Sequence, residues 1–283
     1  MRRMNDVPIF DIDRRGGPLL ISIPHLGTAI PDHLRRAYSP QALAVADTDW
    51  HLEKLYDFAS ALDATVLRAN VSRYVIDVNR PATGESLYPG MISTSLCPTE
   101  TFRGEALYHA GFAPDRDEVA RRVVAYWQPY HAQLGTEIRR LRQSHPNILL
   151  WEAHSIASVL PRLFSGKLPD FNLGTSDGES CHDSIAASAV QRLRQSSRSW
   201  VLNGRFKGGF ITRRYGDPKS GVHAIQLEMC QSLYMDETAP FAWRDDLAGL
   251  VRPVVRSCIE GAVTALTRLS KSSTTIPADT LRG

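Results

Sequence analysis

The sequence predicts a three-layer α/β domain, in which a mixed, mostly parallel sheet lies between two layers of helices. Short apolar runs bounded by Gly and Pro alternate along the chain with segments of helical periodicity. The chain has 283 residues, of which 43% are hydrophobic, and this is ample for one large core. We therefore expect a single domain over residues 1–270, followed by a flexible polar tail over residues 271–283.

The first half of the chain contains a strand, a helix and a second strand region. GPLLISIPH is an apolar run bounded by Gly and Pro, which predicts a short buried strand. DTDWHLEKLYDFASALDA has helical spacing and could begin at Asp47 or Asp49. ATVLRANVSRYVIDVNRP is rich in Val and Ile, which favours one or two strands that end at Pro81. Residues 81–113 lack periodicity and predict a long loop.

The second half begins with the clearest helix, DRDEVARRVVAYWQPYHAQLGTEIRRLRQ, in which Pro129 predicts a kink. NILLWEAHS, SWVLNGRF and VHAIQLEMC predict strands, and GTSDGESC predicts a turn-rich loop. HDSIAASAVQRLRQ and DLAGLVRPVVRSCIEGAVTALTRL predict amphipathic helices. This alternation of strands and helices is what indicates the α/β class.

Charge and cysteine content limit the class of partner. The 33 basic and 30 acidic residues give a net charge of +3, so we expect no nucleic acid or membrane partner. No apolar run reaches the ~18 residues of a membrane helix, and the first residues lack the apolar core of a signal peptide. We expect a cytoplasmic monomer or small homo-oligomer. The four cysteines are far apart, which is typical of reduced buried thiols.

Polar side chains follow several predicted strands, at the edge of the sheet where α/β proteins bind their ligands. They are His25, Asp77, Asn79, Arg80, His154 and Glu228. Two histidines with an acid could supply the roughly three N or O ligands of a catalytic zinc, which keeps one position open. A further carboxylate, for which Glu228 is well placed, could then accept a proton from water.

Each of these residues also has a structural interpretation that the sequence leaves open. A histidine at a strand end can simply be hydrogen-bonded, and Asp47 or Asp49 can serve as an acid at a helix start. Asp77 could orient Arg73, and Glu228 could pair with an arginine. The chain contains no HExxH or CxxC element, so spacing alone gives only a weak metal signal.

An ordered series of strings between about Leu19 and Glu237 resembles the N-formylglutamate amidohydrolase family. These strings are SIPHLGTAIP, DTDWHLEKLYDFA, SRYVIDVNRP, TSLCPTETFRGEALY, LLWEAHSI, LPDFNLGTSDGESC and NGRFKGGFITRRYGDPKSGVHAIQLEMC. The resemblance implies a phosphorylase/hydrolase-like fold, similar to zinc carboxypeptidases and aspartoacylases. It also implies hydrolysis of N-formyl-L-glutamate to formate and L-glutamate in histidine degradation, with one divalent metal ion, for which we expect Zn²⁺.

The resemblance further implies a metal site that contains His25 and His154. Carboxypeptidases have a glutamate three residues after their first histidine, but this chain has Thr28 there. We expect the third ligand to be Asp49, with Asp47 and His51 as the alternatives.

The catalytic and substrate-binding roles also come from the resemblance. It implies that Glu228 is the general base, that Arg73 polarises the scissile carbonyl, and that Asn79 and Arg80 hold a substrate carboxylate. For a second carboxylate we expect the basic residues of the RFKGGFITRRYG loop, namely Lys207, Arg213 and Arg214. The family usually has Ser at the position of Leu26 and often His at that of Arg214, so substrate choice could differ. The alternatives are another N-acyl amino acid, a small peptide, or a non-catalytic carboxylate-binding protein.

Overall fold

A seven-stranded mixed sheet forms the centre of the structure, a computed structural model that describes residues 7–86 and 94–274. The strands are β1 (Phe10–Asp13), β2 (Leu19–Ile23), β3 (Thr65–Ala69), β4 (Ile148–Ile156), β5 (Phe171–Gly174), β6 (Trp200–Leu202) and β7 (Val222–Cys230). Their order in the sheet is β1-β3-β2-β4-β7-β5-β6. Neighbouring strands are parallel except in the pairs β1 with β3 and β5 with β7. The predicted mixed, mostly parallel sheet is confirmed.

Helices cover both faces of this sheet and complete the three predicted layers. They are α1 (Asp32–Arg35), α2 (Pro40–Leu43), α3 (Leu52–Leu55), α4 (Arg116–Arg122), α5 (Gln128–Ser144), α6 (Asp183–Arg194), α7 (Phe210–Tyr215) and α8 (Asp245–Thr274). Apolar side chains of α3, α6 and α8 pack with one face of the sheet. Those of α5 and α7 pack with the other face.

The central strands β4 and β7 are buried along their whole length, which explains their nearly continuous apolar sequences. Their apolar residues alternate between the two faces. Leu149 and Trp151 contact the α6 and α8 layer, whereas Ile148 and Leu150 contact the α5 layer. Because side chains repeat every two residues in a strand, the polar residues that follow Leu150 at positions 152 and 154 lie on the α5 side.

Two segments differ from the sequence prediction. DTDWHLEKLYDFASALDA does not form one helix; it forms α3 and a 3₁₀ helix, Asp57–Leu62. His51 precedes α3 in the left-handed conformation, with φ of 60°, and neither predicted aspartate caps the helix. In ATVLRANVSRYVIDVNRP only β3 is a strand, because the chain leaves the sheet after Ala69 and Val71 forms only an isolated bridge.

The other elements follow the predictions more closely. The helix predicted around Pro129 consists of α4, a π turn at Val123–Trp127 and α5, so the π turn takes the place of the expected kink. The four cysteines are free and buried, as expected. The final helix continues to Thr274, and residues 275–283 of the predicted tail lie outside the described part of the chain. Within residues 7–86 and 94–274, no helix has the length and apolar character needed to cross a membrane.

A buried arginine ties the segment after β3 to α4. The Arg122 guanidinium donates hydrogen bonds to the hydroxyls of Tyr38 and Tyr108, at 3.1 and 2.8 Å, and to the carbonyl oxygen of Val75 at 3.1 Å. It also pairs with Glu118 at 2.8 Å. The 71–80 segment has little regular secondary structure, so this network supplies hydrogen bonds that a sheet would otherwise provide.

We expect Arg122→Met to lower the free energy of unfolding by about 3 kcal/mol, because it leaves several buried polar groups without a partner. Arg121→Met is the matched control, since Arg121 pairs with the same Glu118 but its side chain is 67% exposed. The control should cost less than about 1 kcal/mol. Urea denaturation of both variants would measure the difference, and equal losses would contradict a structural role for Arg122.

Candidate active site

Two histidines and an aspartate meet at the carboxyl ends of β2 and β4. His25 follows β2, His154 lies near the end of β4, and Asp49 lies just before α3. One ligand atom from each falls within a cluster whose atoms are all within 4.8 Å of one another. The Asp49 carboxylate is 3.0 Å from Nδ1 of His154 and 3.8 Å from Nδ1 of His25. The three side chains that we expected to bind a metal are therefore brought together.

A carboxylate holds the far side of each imidazole. Nε2 of His25 is 2.7 Å from Asp77, and Nε2 of His154 is 2.7 Å from Glu152. Such a carboxylate fixes the tautomer and orientation of a metal-binding histidine and strengthens it as a ligand. In both rings the remaining nitrogen, Nδ1, faces Asp49.

Hydrogen bonds with nearby backbone groups hold Asp49 in place. Its backbone N–H donates to the carbonyl of His25 at 3.0 Å, and its Oδ2 accepts from the backbone N–H of Ser155 at 3.2 Å. Its Oδ1 is buried and has no hydrogen-bond partner. A buried carboxylate oxygen without a partner is costly, and a cation is one group that can satisfy it.

The donor set therefore suits a divalent metal. Two imidazole nitrogens and a carboxylate oxygen are the ligands that catalytic zinc sites use. Burial and the nearby charge of Arg73 lower the pKa of His25, which favours the neutral ring that a metal requires. Burial also opposes the charged form of His154, but hydrogen bonds to Asp49 and Glu152 raise its pKa well above the ordinary value. A metal would take the place of the Nδ1 proton, which lies between His154 and Asp49 when the ring is charged, while the Nε2 proton stays with Glu152.

The two alternatives for the third ligand, Asp47 and His51, form hydrogen bonds with other parts of the structure. The Asp47 carboxylate accepts a hydrogen bond from the backbone N–H of Phe102 at 2.7 Å. Nε2 of His51 lies 2.7 Å from the carbonyl oxygen of Phe241. Thr28, at the position of the carboxypeptidase glutamate, is exposed. The geometry therefore favours Asp49.

Arg73 lies against this cluster on the side of Asp77. Its guanidinium donates to Asp77 at 2.8 Å and lies 3.1 Å from Nδ1 of His25. It is buried and forms part of the pocket wall. Although Asp77 is fully buried, the charges of His25 and Arg73 hold its pKa well below the usual range. The structure thus presents a fixed positive charge beside the candidate metal ligands.

Glu228 is the direct neighbour of His154 across the sheet. The two residues are register partners in the parallel pair of β4 and β7, and both line the pocket. Burial raises the pKa of Glu228 to about 8, and Asp49 acts in the same direction against the charge of His154. A carboxyl group with a pKa near neutrality can both accept and donate a proton.

Asn79 and Arg80 form another part of the wall. Oδ1 of Asn79 accepts from the backbone N–H of Ile211 at 2.9 Å, so its amide is fixed. A Cβ at Gly209 would lie 2.3 Å from Nδ2 of Asn79, and only glycine allows this approach. Arg80 donates to the carbonyl oxygen of Thr94 at 3.2 Å and lines the pocket.

The other three expected substrate-binding residues lie outside the pocket wall. Lys207 pairs with Asp177 at 3.0 Å, Arg213 donates to the carbonyl of Gly208 at 2.9 Å, and Arg214 is exposed on α7. The same loop instead contributes Arg205, which the sequence analysis did not select. This loop thus brings a basic residue to the pocket wall, but not one of the three that we expected to bind the substrate.

Glu152 and Gln226 were also missed, although the sequence contains a signal for both. Each lies two residues before a selected residue of the same strand, and the period of two places them on the same face. Glu152 supports His154, and Gln226 accepts a hydrogen bond from the backbone N–H of Gly209 at 2.6 Å.

Solved structures share this fold. The N-formylglutamate amidohydrolase from Ralstonia eutropha superimposes with a TM-score of 0.78 at 22% identity, over 95% of this chain and 100% of that protein. A gene product from Agrobacterium tumefaciens gives a TM-score of 0.66 at 16% identity, over 92% and 96% of the two chains. At these identities the likeness concerns the fold alone.

Sequence comparison identifies the family to which the chain belongs. The sequence is 49% identical to the N-formylglutamate deformylases of Pseudomonas putida and Pseudomonas aeruginosa, in each case over 86% of this chain and 91% of the relative. The model of the family described as N-formylglutamate amidohydrolase matches residues 17–235. With the match covering most of the fold and every residue of the candidate metal cluster, this chain belongs to the N-formylglutamate amidohydrolase family.

Proposed function

We propose that the protein is a metal-dependent hydrolase that converts N-formyl-L-glutamate and water to formate and L-glutamate. The observation that carries this proposal is the convergence of two imidazole Nδ1 atoms on a buried carboxylate with an unsatisfied oxygen, beside Glu228. The choice of substrate is supported by the names of the relatives at 49% identity.

His25, Asp49 and His154 would hold the metal. When bound, a divalent metal acidifies water and polarises the amide carbonyl, which supplies a nucleophile at neutral pH. Zn²⁺ suits the mixed nitrogen and oxygen ligands best, and one ion per chain is expected.

Glu228 moves the protons. Its carboxylate accepts a proton from the attacking water as the oxygen adds to the formyl carbon. It then donates that proton to the amine nitrogen as the C–N bond breaks, so that formate and glutamate leave and the carboxylate is restored. Its raised pKa suits both transfers, because the group is neither too weak a base nor too weak an acid near neutral pH.

Arg73 and the Asn79–Arg80 pair act on the charges of the substrate. The Arg73 guanidinium, fixed by Asp77, stabilises the oxygen on which negative charge develops. Arg80 and the amide of Asn79 bind a substrate carboxylate and so orient the formyl group. A place in histidine degradation, a cytoplasmic location and a monomer or small homo-oligomer stay predictions.

We expect metal binding to depend on Asp49 and not on Asp47. Asp49→Asn should weaken metal affinity by at least about 100-fold, because a neutral amide replaces the charged ligand. Asp47→Asn is the matched control, since an amide oxygen can still accept the hydrogen bond from Phe102. Elemental analysis after dialysis should find about one zinc in the wild type and in Asp47→Asn, and little in Asp49→Asn. The reverse pattern would reject the proposed third ligand.

We expect Glu228→Gln to lower kcat by about 100-fold or more, because glutamine cannot transfer the proton. Steady-state kinetics with N-formyl-L-glutamate would measure this loss, and the metal content of the variant should stay that of the wild type. A kcat within about tenfold of the wild type, at full metal content, would contradict the role of Glu228.

A substrate panel tests the acyl group and the amino acid. We expect kcat/KM for N-formyl-L-glutamate to exceed that for N-acetyl-L-glutamate and N-formyl-L-aspartate by at least about tenfold. The methyl group of N-acetyl-L-glutamate must fit among the buried side chains next to the candidate metal ligands. The shorter side chain of N-formyl-L-aspartate places its carboxylate in a different position. Higher activity on another N-acyl amino acid would favour the alternative amidase. A protein that binds these compounds but hydrolyses none would be a carboxylate-binding protein.

A further inference from the structure

The basic side chains that line the pocket differ in what they contact. Among the described residues, the basic side chains that line it, apart from the histidines, are Arg73, Arg80 and Arg205. Arg73 belongs to the candidate metal cluster, since it pairs with Asp77 and lies 3.9 Å from Asp49. Arg80 and Arg205 line the same pocket outside this cluster, where groups of the substrate other than the scissile amide would lie.

N-formyl-L-glutamate carries two carboxylates, and one cation can satisfy only one of them well. Arg80, with Asn79, serves the first in the proposed function. The three basic residues expected for the second, which include Lys207, lie outside the pocket wall. Arg205 therefore remains as the guanidinium on this wall without a proposed role.

The loop that carries Arg205 is anchored on both sides. Before it, the amide of Asn203 accepts from the backbone N–H of Thr175 at 2.8 Å and donates to the Thr175 hydroxyl at 2.9 Å. After it, the carbonyl of Lys207 accepts from the backbone N–H of Ser176 at 2.6 Å. Arg205 thus projects from a short span with fixed ends, which limits the conformations that its backbone can adopt.

Aromatic rings support the Arg205 side chain. Its guanidinium carbon lies 5.4 Å from the ring centroid of Phe164 and 5.8 Å from that of Phe206. Stacking against rings fixes the plane of a guanidinium, and a guanidinium held in one plane matches the planar geometry of a carboxylate. Phe206 also lines the pocket, so the supported guanidinium lies at the pocket wall.

We propose that Arg205 binds the side-chain carboxylate of the substrate and is the residue that selects a dianionic N-formyl amino acid. The proposal rests on the proposed function, because it concerns the second carboxylate of the same substrate. It assigns the two carboxylates to separate cations: the Asn79–Arg80 pair next to the candidate metal cluster and Arg205 on the loop after β6.

Arg205→Met tests this proposal, because methionine keeps an apolar stem but removes the charge. The substrates are N-formyl-L-glutamate and N-formyl-L-glutamine, a near-isostere that keeps the α-carboxylate but has an uncharged side chain. For the glutamate substrate, KM should rise about 10- to 100-fold while kcat changes less than about threefold, since binding and not chemistry is affected. For the glutamine substrate, kcat/KM should change less than about threefold. Arg205→Lys should recover part of the loss, because it restores a point charge without the planar fork.

Lys207→Met is the matched control. It removes a positive charge two residues away on the same loop, but from a side chain that pairs with Asp177 outside the pocket. It should leave KM for both substrates unchanged, which separates a local contact from a general charge effect.

A rise in KM confined to the glutamate substrate and to the Arg205 variants supports the proposal. An unchanged KM in Arg205→Met, or an equal loss on both substrates, overturns it while the deformylase function stands. A wild-type enzyme with full metal that does not hydrolyse N-formyl-L-glutamate overturns the proposed function and this proposal together.

Discussion

The candidate site depends first on the register in which β4 pairs with β7. This parallel pairing places Glu152 opposite Gln226 and His154 opposite Glu228, so that four polar side chains emerge on one face after the apolar residues of the same strands. A slip of one residue would turn these side chains of one strand into the opposite core. The buried apolar residues on both faces oppose such a slip, so the hydrophobic core fixes the relative positions of the proposed catalytic groups.

The candidate metal cluster is a second constraint, because it places several charges on buried side chains. Asp77 and Glu152 each support one histidine, and Asp49 keeps an oxygen without a hydrogen-bond partner. Buried charges of this kind cost stability unless they are paired, so the protein without metal holds an arrangement that a cation would relieve. Binding of the metal should therefore stabilise the folded state as well as activate water. The same burial raises the pKa of Glu228, which links burial to the proton transfer proposed for this residue.

Sequence patterns predicted the parts of the protein in which neighbouring residues determine the structure. β4 and β7 are nearly continuous apolar runs, and α6 and α8 have a clear helical period, so their positions followed from the sequence. The prediction of one helix over residues 47–64 was wrong, because Asp49 contacts His154, 105 residues away, and this contact has no local signal. Glu152 was overlooked because it interrupts an apolar run. The choice among Arg205, Lys207, Arg213 and Arg214 depended on loop anchors such as Thr175 and Gln226, which are distant in sequence.

These anchors also couple the substrate-binding residues to the chemistry. Gly209 donates its N–H to Gln226 on β7, and its α-carbon has room for no side chain because Asn79 lies against it. One backbone position therefore connects the strand of Glu228, the Asn79–Arg80 segment and the loop that carries Arg205. A displacement of this glycine would move both proposed carboxylate sites relative to Glu228, the proposed proton-transfer group. Because a misplacement of about 1 Å can cost two orders of magnitude in rate, substitutions at Gly209 should affect kcat even though glycine has no side chain that could take part in the chemistry.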